Sequence, residues 1–228
     1  MLRRTFIASA VLFATAAAAP GAFAFTEGKD ADYITLEKPL PGGEGKLVKV
    51  WSYDCPFCFK FDVGVDPKMV PLAEKATGLK FDMVHIETKG KYGRAGSELF
   101  AWCQLRDKAA GITEVVFDRG GNNPKSIFKK AKDAIYKAYH RQGERWASGE
   151  AAFLKTGLDA IGATAEEFEA ARKTPEVQQL ADSWKPSYDV AKIQGIPAYV
   201  VNGKYLIMTK SIRSVQGLVD LITELSKK

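Results

Sequence analysis

The sequence predicts an α/β protein: strand-rich segments near both ends of the chain, interrupted by a long helical insertion. Three observations carry this. An apolar, β-branched and aromatic run, Leu47-Val48-Lys49-Val50-Trp51, leads into Cys55-Pro56-Phe57-Cys58, where a helix can start. Residues 90–187 hold helical patterns separated by Gly and Pro, with no strand signal. Near the other end, Asn202-Gly203 sits between two strand-like runs and supplies the residues of a type I′ hairpin turn. At 228 residues, 46% of them hydrophobic and 26% charged, the chain can bury a sizeable core.

Residues 1–24 read as an export leader. Arg3 and Arg4 precede an uncharged, Ala-rich stretch, and Ala22-Phe23-Ala24 gives the small-x-small pattern of a cleavage site, so a mature chain beginning at Phe25 is expected. The rival reading, an uncleaved anchor, is weaker because an Ala-rich run broken by Pro20-Gly21 partitions poorly into a bilayer. Arg3-Arg4 before Thr5-Phe6-Ile7 leaves the export route open between the general and the twin-arginine pathways. The net charge is +6, two units of which lie in Arg3 and Arg4. With no basic–aromatic repeat, nothing points to nucleic acid.

Past the leader, residues 33–36 read as a short edge strand closed by Pro41-Gly42-Gly43, and residues 46–52 as a central strand with one charge, Lys49, in its middle. Pro56 suits a first helical turn; residues 69–76 add helix ended by Gly78, and 79–86 alternate as a second core strand. Helices are expected over 94–110, 126–141, 147–160, 165–173 and 176–184, broken at Gly111, Gly120-Gly121-Asn122-Asn123-Pro124, Gly143, Gly162 and Pro175. Thr164 with Glu167 fits a capping box. After the hairpin of 198–208, Ser211 or Ser214 can cap a final amphipathic helix built on Val215, Leu218, Val219, Leu221 and Ile222. The order is β-β-α-β, helical insertion, β-β-α, with 25–90 and 188–228 forming the α/β domain and 91–187 the insertion.

Cys55 and Cys58 admit three readings. A zinc site needs four ligands, and only Cys103, His85 and His140 are left to complete one. A structural disulfide across two residues constrains little of the unfolded chain. Three cysteines are in any case too few for a disulfide framework at this length. The redox reading has the local chemistry behind it. With Cys55 at the helix N-cap, the free amides of Phe57 and Cys58 and the helix dipole favour its thiolate. A stabilised thiolate makes the disulfide a stronger oxidant, and Cys58, one turn in, is expected to be buried.

The element order and Cys55-Pro56-Phe57-Cys58 resemble the thioredoxin fold of the DsbA family, and Ile196-Pro197 resembles that fold's cis-proline element. Ser52-Tyr53-Asp54-Cys55-Pro56-Phe57-Cys58, His85-Ile86-Glu87-Thr88-Lys89-Gly90 and residues 188–205 look closest to its DsbL branch. The resemblance covers nearly the whole mature chain. It implies a periplasmic thiol:disulfide oxidoreductase in which Cys55 and Cys58 carry the exchange and Ile196 and Pro197 wall the site. Pro56 and Phe57 modulate the pair; no metal or separate cofactor is implied. It also implies a quinone-linked membrane partner of DsbI or DsbB type, and reduced exported clients such as an arylsulfate sulfotransferase. One departure stands out: thioredoxin-like proteins usually keep a buried acid six residues before the first cysteine, where this chain has Lys49, and the facing position on the next strand is Met83. A cation there favours thiolate; the alternative is that Lys49 reaches the surface.

Cys103 shares a face with Leu99 and Trp102 and is expected to be an inert core thiol. His85 ends a strand, and His140 ends a Lys-rich helix where a cation suits the dipole. Lys125, Lys129, Lys130, Lys132, Lys137 and Arg141 read as a solvated face, or else a basic surface selecting acidic clients. A monomeric dithiol oxidase is expected. The rivals are a disulfide isomerase or reductase and, from another class, a chaperone-like binding module.

Overall fold

The computed structural model describes residues 25–28, 30–112 and 125–228. Five strands, β1 (Tyr33–Thr35), β2 (Lys46–Trp51), β3 (Lys80–His85), β4 (Ala198–Val201) and β5 (Tyr205–Ile207), form one sheet in the order β1-β5-β4-β2-β3. Only β2 and β3 run parallel; the other pairs are antiparallel. β2 lies inside the sheet, between β4 and β3, and is buried from Leu47 to Trp51, which is why its sequence is apolar on both faces except for Lys49. Its register sets Lys49 against Met83 on β3 and Tyr199 on β4. The β4–β5 hairpin turns through Asn202 at φ 52° and Gly203 at φ 67°, the paired positive angles of the expected turn.

Where one helix was expected after the cysteines, the chain makes two, α1 (Pro56–Gly64) and α2 (Asp66–Thr77), joined at Val65; Pro67 opens the first turn of α2 and Gly78 closes it at φ 74°. The insertion contains α3 (Gly93–Ala109), α4 (Ile127–Arg141), α5 (Glu150–Ile161), α6 (Ala165–Ala171) and α7 (Pro175–Ser183). α5 starts later than residue 147 because Trp146 (φ 49°) and Gly149 (φ 120°) hold the preceding turn in positive-φ geometry. A further helix, α8 (Ser187–Gln194), escaped the sequence reading and packs on β2 and β4. Ser214 caps the last helix, α9 (Val215–Leu225), by accepting from the Gly217 N–H, and α9 packs on α2. The leader at 1–24 and the expected break at 120–124 lie outside the described residues.

Sheet and insertion share one core. Trp51, fully buried at the end of β2, meets Phe100 of α3 at 4.9 Å and Tyr136 of α4 at 5.3 Å between ring centroids. Truncating such a side chain to Ala costs about 3–5 kcal/mol, so the strand that leads to the cysteines cannot shift independently of the helices above it.

Candidate active site

Chain direction and capping chemistry build the site. β2 delivers the backbone to Ser52, a turn follows, and Cys55 takes the N-cap of α1 with extended φ/ψ while Pro56 occupies the first helical position. The Cys55 sulfur accepts the Cys58 N–H at 3.1 Å. On the other side the Cys55 thiol donates to the carbonyl oxygen of Ile196 at 3.5 Å, across 141 residues of sequence, and the Ile196–Pro197 bond is cis. Cys55 is 5% exposed and Cys58 fully buried, while the Phe57 ring between them in sequence is 60% exposed. Both cysteines are free thiols in this state.

The two thiols are driven apart in acidity. The side-chain hydrogen bond from Cys58, helped by the backbone N–H groups of Cys58 and Phe57, pulls Cys55 down to about 7 against burial and the nearby Asp54. Burial, then the hydrogen bond and charge of Cys55, push Cys58 well above its ordinary range. Near neutrality Cys55 is the thiol that ionises. It is therefore the nucleophile and the better leaving group of the pair.

Beneath Cys58 the structure corrects the reading of Lys49. The side chain is fully buried and does not reach the surface; nor is it a bare cation, because its Nζ lies 2.5 Å from Asp66 Oδ2 and 3.4 Å from the Cys58 carbonyl oxygen. Tyr199 donates its hydroxyl to the other oxygen, Asp66 Oδ1, at 2.5 Å. Burial raises the Asp66 carboxyl while Lys49 and Tyr199 oppose the shift. The acid missing from β2 has thus been replaced by one at the start of α2. Asp62, with its side chain 10% exposed, stands 4.0 Å from Lys49 Nζ and is gripped by Lys132. Lys132 was expected on a solvated face; it is 1% exposed, between Asp62 and Asp133.

Both histidines of the chain hold Tyr53, two residues before Cys55. His85 Nε2 accepts the Tyr53 N–H at 3.3 Å, and His140 Nε2 donates to the Tyr53 carbonyl oxygen at 2.8 Å. Since Nε2 of His85 accepts, its proton sits on Nδ1 and points to Ser97 Oγ at 2.8 Å. Burial pushes His85 down to about 3 and lowers His140 as well, so His140 serves the site as a neutral donor rather than as a helix-end cation. The Tyr53 ring stacks on His85, and its hydroxyl accepts from the Tyr92 N–H at 2.9 Å. Close by, Gly90 at φ 77° leaves no room for a Cβ, which would fall 2.5 Å from the Tyr53 ring. Cys103 is fully buried, with its thiol pushed upward by burial.

Asp62, Asp66, Tyr199 and the histidine clamp were not singled out from sequence. One signal was present: Cys58, Asp62 and Asp66 recur every four residues, which puts them along one side of α1 and its continuation. Among the described residues no group of three or more His, Cys, Asp or Glu could hold a metal ion, and no helix is long and apolar enough to cross a membrane.

A dithiol at a helix N-cap, faced by a cis-proline on a sheet of this order with a helical insertion, defines a thiol:disulfide oxidoreductase of the thioredoxin fold. No protein-family model matches the chain. It is 53% identical over 223 residues to the thiol:disulfide interchange protein DsbL of Lelliottia amnigena, covering 96% of this chain and 95% of that one. It is 54% identical over 210 residues to DsbL of Escherichia coli O6:H1, covering 91% and 89%. The crystal structure of DsbL from Salmonella enterica serovar Typhimurium matches with a TM-score of 0.78 at 50% identity, covering 90% of this chain and 98% of that one. The chain belongs to the DsbL family of thiol:disulfide interchange proteins, within the wider DsbA group.

Proposed function

We propose that the chain is an exported dithiol oxidase that donates the Cys55–Cys58 disulfide to reduced client proteins in the periplasm. The observation that carries the reading is the asymmetry of the pair: Cys55 drawn down to about 7, Cys58 raised and sealed. Stabilising one thiolate of the reduced form weakens the protein's own disulfide relative to a client's.

In the exchange a client thiolate attacks Cys55 Sγ and forms a mixed disulfide. The Cys55–Cys58 bond breaks, its electron pair stays on Cys58, and Cys58 takes up a proton. A second client thiolate then attacks the client sulfur and releases Cys55 as a thiolate. The client loses two electrons and the dithiol gains them. Ile196, whose carbonyl faces Cys55, and Pro197 offer a backbone edge on which an extended client segment can pair. Pro56 sets the first helical turn; Phe57 contributes an amide to the thiolate and an exposed ring to the rim.

The disulfide is itself the redox group, so no separate cofactor is invoked. Family likeness supports reoxidation by a quinone-linked membrane partner of DsbI or DsbB type and a specialised client such as an arylsulfate sulfotransferase. Export through the leader at 1–24 fits such chemistry, since disulfides persist outside the cytoplasm. The test is equilibration with glutathione together with turnover of a reduced client. A strongly oxidising potential, and loss of turnover in Cys55→Ala, are expected. A potential near the roughly −270 mV of thioredoxin makes the protein a reductase, and full turnover by Cys55→Ala ends the enzyme reading.

A further inference from the structure

We propose that the helical insertion sets the redox poise of the dithiol through one ion pair, Lys132 of α4 with Asp62 of α1. Asp62 lies one helical turn beyond Cys58, on the same side of α1. Lys132 Nζ is 2.7 Å from Asp62 Oδ1 and 2.6 Å from Oδ2, and so occupies both oxygens. Lys49 Nζ is 4.0 Å from Asp62 but 2.5 Å from Asp66. Lys132 therefore neutralises Asp62 and leaves Asp66 as the near counter-ion of Lys49. The second partner of Lys132, Asp133, is in turn paired with Lys129.

The arrangement is a row of alternating charge that starts beneath Cys58 and ends at the half-exposed Lys129–Asp133 pair. Its buried links act in a poorly screened medium. Burial opposes the charge on Lys132, but Asp62 and Asp133 outweigh it and raise the lysine, which therefore stays charged. Without Lys132, Asp62 keeps only Lys49, at 4.0 Å and already held by Asp66, so it becomes an under-compensated carboxylate one turn beyond Cys58. It then disfavours thiolate, destabilises the reduced protein and weakens the disulfide as an oxidant. Lys132 holds Asp62 and Asp133 rather than the dithiol, so it is a positioning residue that works through Asp62.

The inference rests on disulfide exchange at Cys55–Cys58, and the experiment separates the two. The protein is equilibrated with glutathione near neutral pH. Lys132→Met should lower its equilibrium constant for oxidising glutathione by about tenfold, or about 30 mV for this two-electron couple. Asp62→Asn, which leaves Lys132 with Asp133 alone and removes a negative charge beside Cys58, should move the constant the opposite way. The double variant Lys132→Met/Asp62→Asn should return to within about twofold of wild type, and Lys132→Arg should match wild type. A structural role alone lowers the thermal midpoint and leaves the constants in place, and that result, or equal-signed shifts in the two single variants, overturns the inference. If Lys132→Met does not fold, Asp62→Asn decides: a constant unchanged or lowered is fatal. Failure of the wild-type protein to exchange with glutathione overturns the functional reading instead.

Discussion

Lys49 Nζ lies 2.5 Å from Asp66 Oδ2, and neither side chain is more than 1% exposed. A buried pair of this kind contributes little net stability, but removing one partner leaves an uncompensated charge and costs about 3–5 kcal/mol. Its electrostatic effect on the dithiol depends on which partner remains. Lys49 favours the Cys58 thiolate, and a carboxylate paired with it, as Asp66 is, offsets part of that charge. Asp66→Asn should therefore lower the Cys55 pKa and make the disulfide more oxidising, whereas Lys49→Met should do the reverse. Both single variants lose stability, while Lys49→Met/Asp66→Asn, in which Asn can still accept from Tyr199, loses less. Thiolate absorbance against pH and urea midpoints measure the two effects; single variants that move Cys55 in the same direction contradict the account.

The reduced and oxidised proteins should differ in how stability varies with pH. Cys55 has a folded pKa of about 7 against an ordinary 9.0, so its contribution is complete above about 9 and is lost as pH falls through 7. Two units correspond to roughly 2.7 kcal/mol, and solvent at the active-site mouth reduces this to about 2 kcal/mol. Cys58 acts oppositely: its folded pKa is raised, so stability falls once pH passes its ordinary 9.0 and the unfolded thiol ionises. Reduced protein should then be most stable near pH 9, a maximum that the oxidised protein lacks. Urea midpoints of the two forms over this range give the comparison, and parallel curves contradict the assigned acidities.

Acid should unfold the protein largely through His85. Its folded pKa of about 3 lies below the ordinary 6.5, so the unfolded state binds more protons between these values and stability rises with pH across that window. The full span is worth about 5 kcal/mol. His85→Gln, which keeps an acceptor for the Tyr53 N–H, should flatten the slope between pH 6.5 and 3. It should also cost about 1–3 kcal/mol at neutral pH through the disturbed hydrogen bonds. An unchanged acid slope in that variant assigns the sensitivity elsewhere.

The parts of the fold that local chemistry decides were readable from sequence. The β2 run, Pro56 behind an N-cap cysteine, the Asn202-Gly203 turn and the Thr164–Glu167 capping box each depend on a few adjacent residues. What depends on remote partners was not. Lys132 looked solvated among five other cations, yet it shares a face with Phe128 and Tyr136, four residues to either side and both buried. That spacing marked the position as internal, but its counter-ion, Asp62, lies 70 residues away. Lys49 was recognised as unusual while Asp66, supplied by a helix that begins with it, was not. α8 has buried positions at Ser187 and Val190 only, too weak a pattern to mark a helix.

Alkylation should report the three thiols in a fixed order. Reaction needs thiolate and access together. Cys55, at about 7 and at the mouth of the site, meets both conditions; Cys58 has its pKa raised and is fully buried one turn behind it; Cys103 is fully buried in α3, its thiol raised by burial and by Asp107. Iodoacetamide applied to the reduced native protein should modify Cys55 first, with a rate midpoint near pH 7. Cys58 should lag by at least about tenfold, in line with a pKa difference of more than one unit. Cys103 should react only as the protein unfolds, so its rate should rise with urea in step with the unfolding transition. Mass spectrometry of digested samples resolves the sites, and modification of Cys103 at the rate of Cys55 in the native state would show that the α3 face is open.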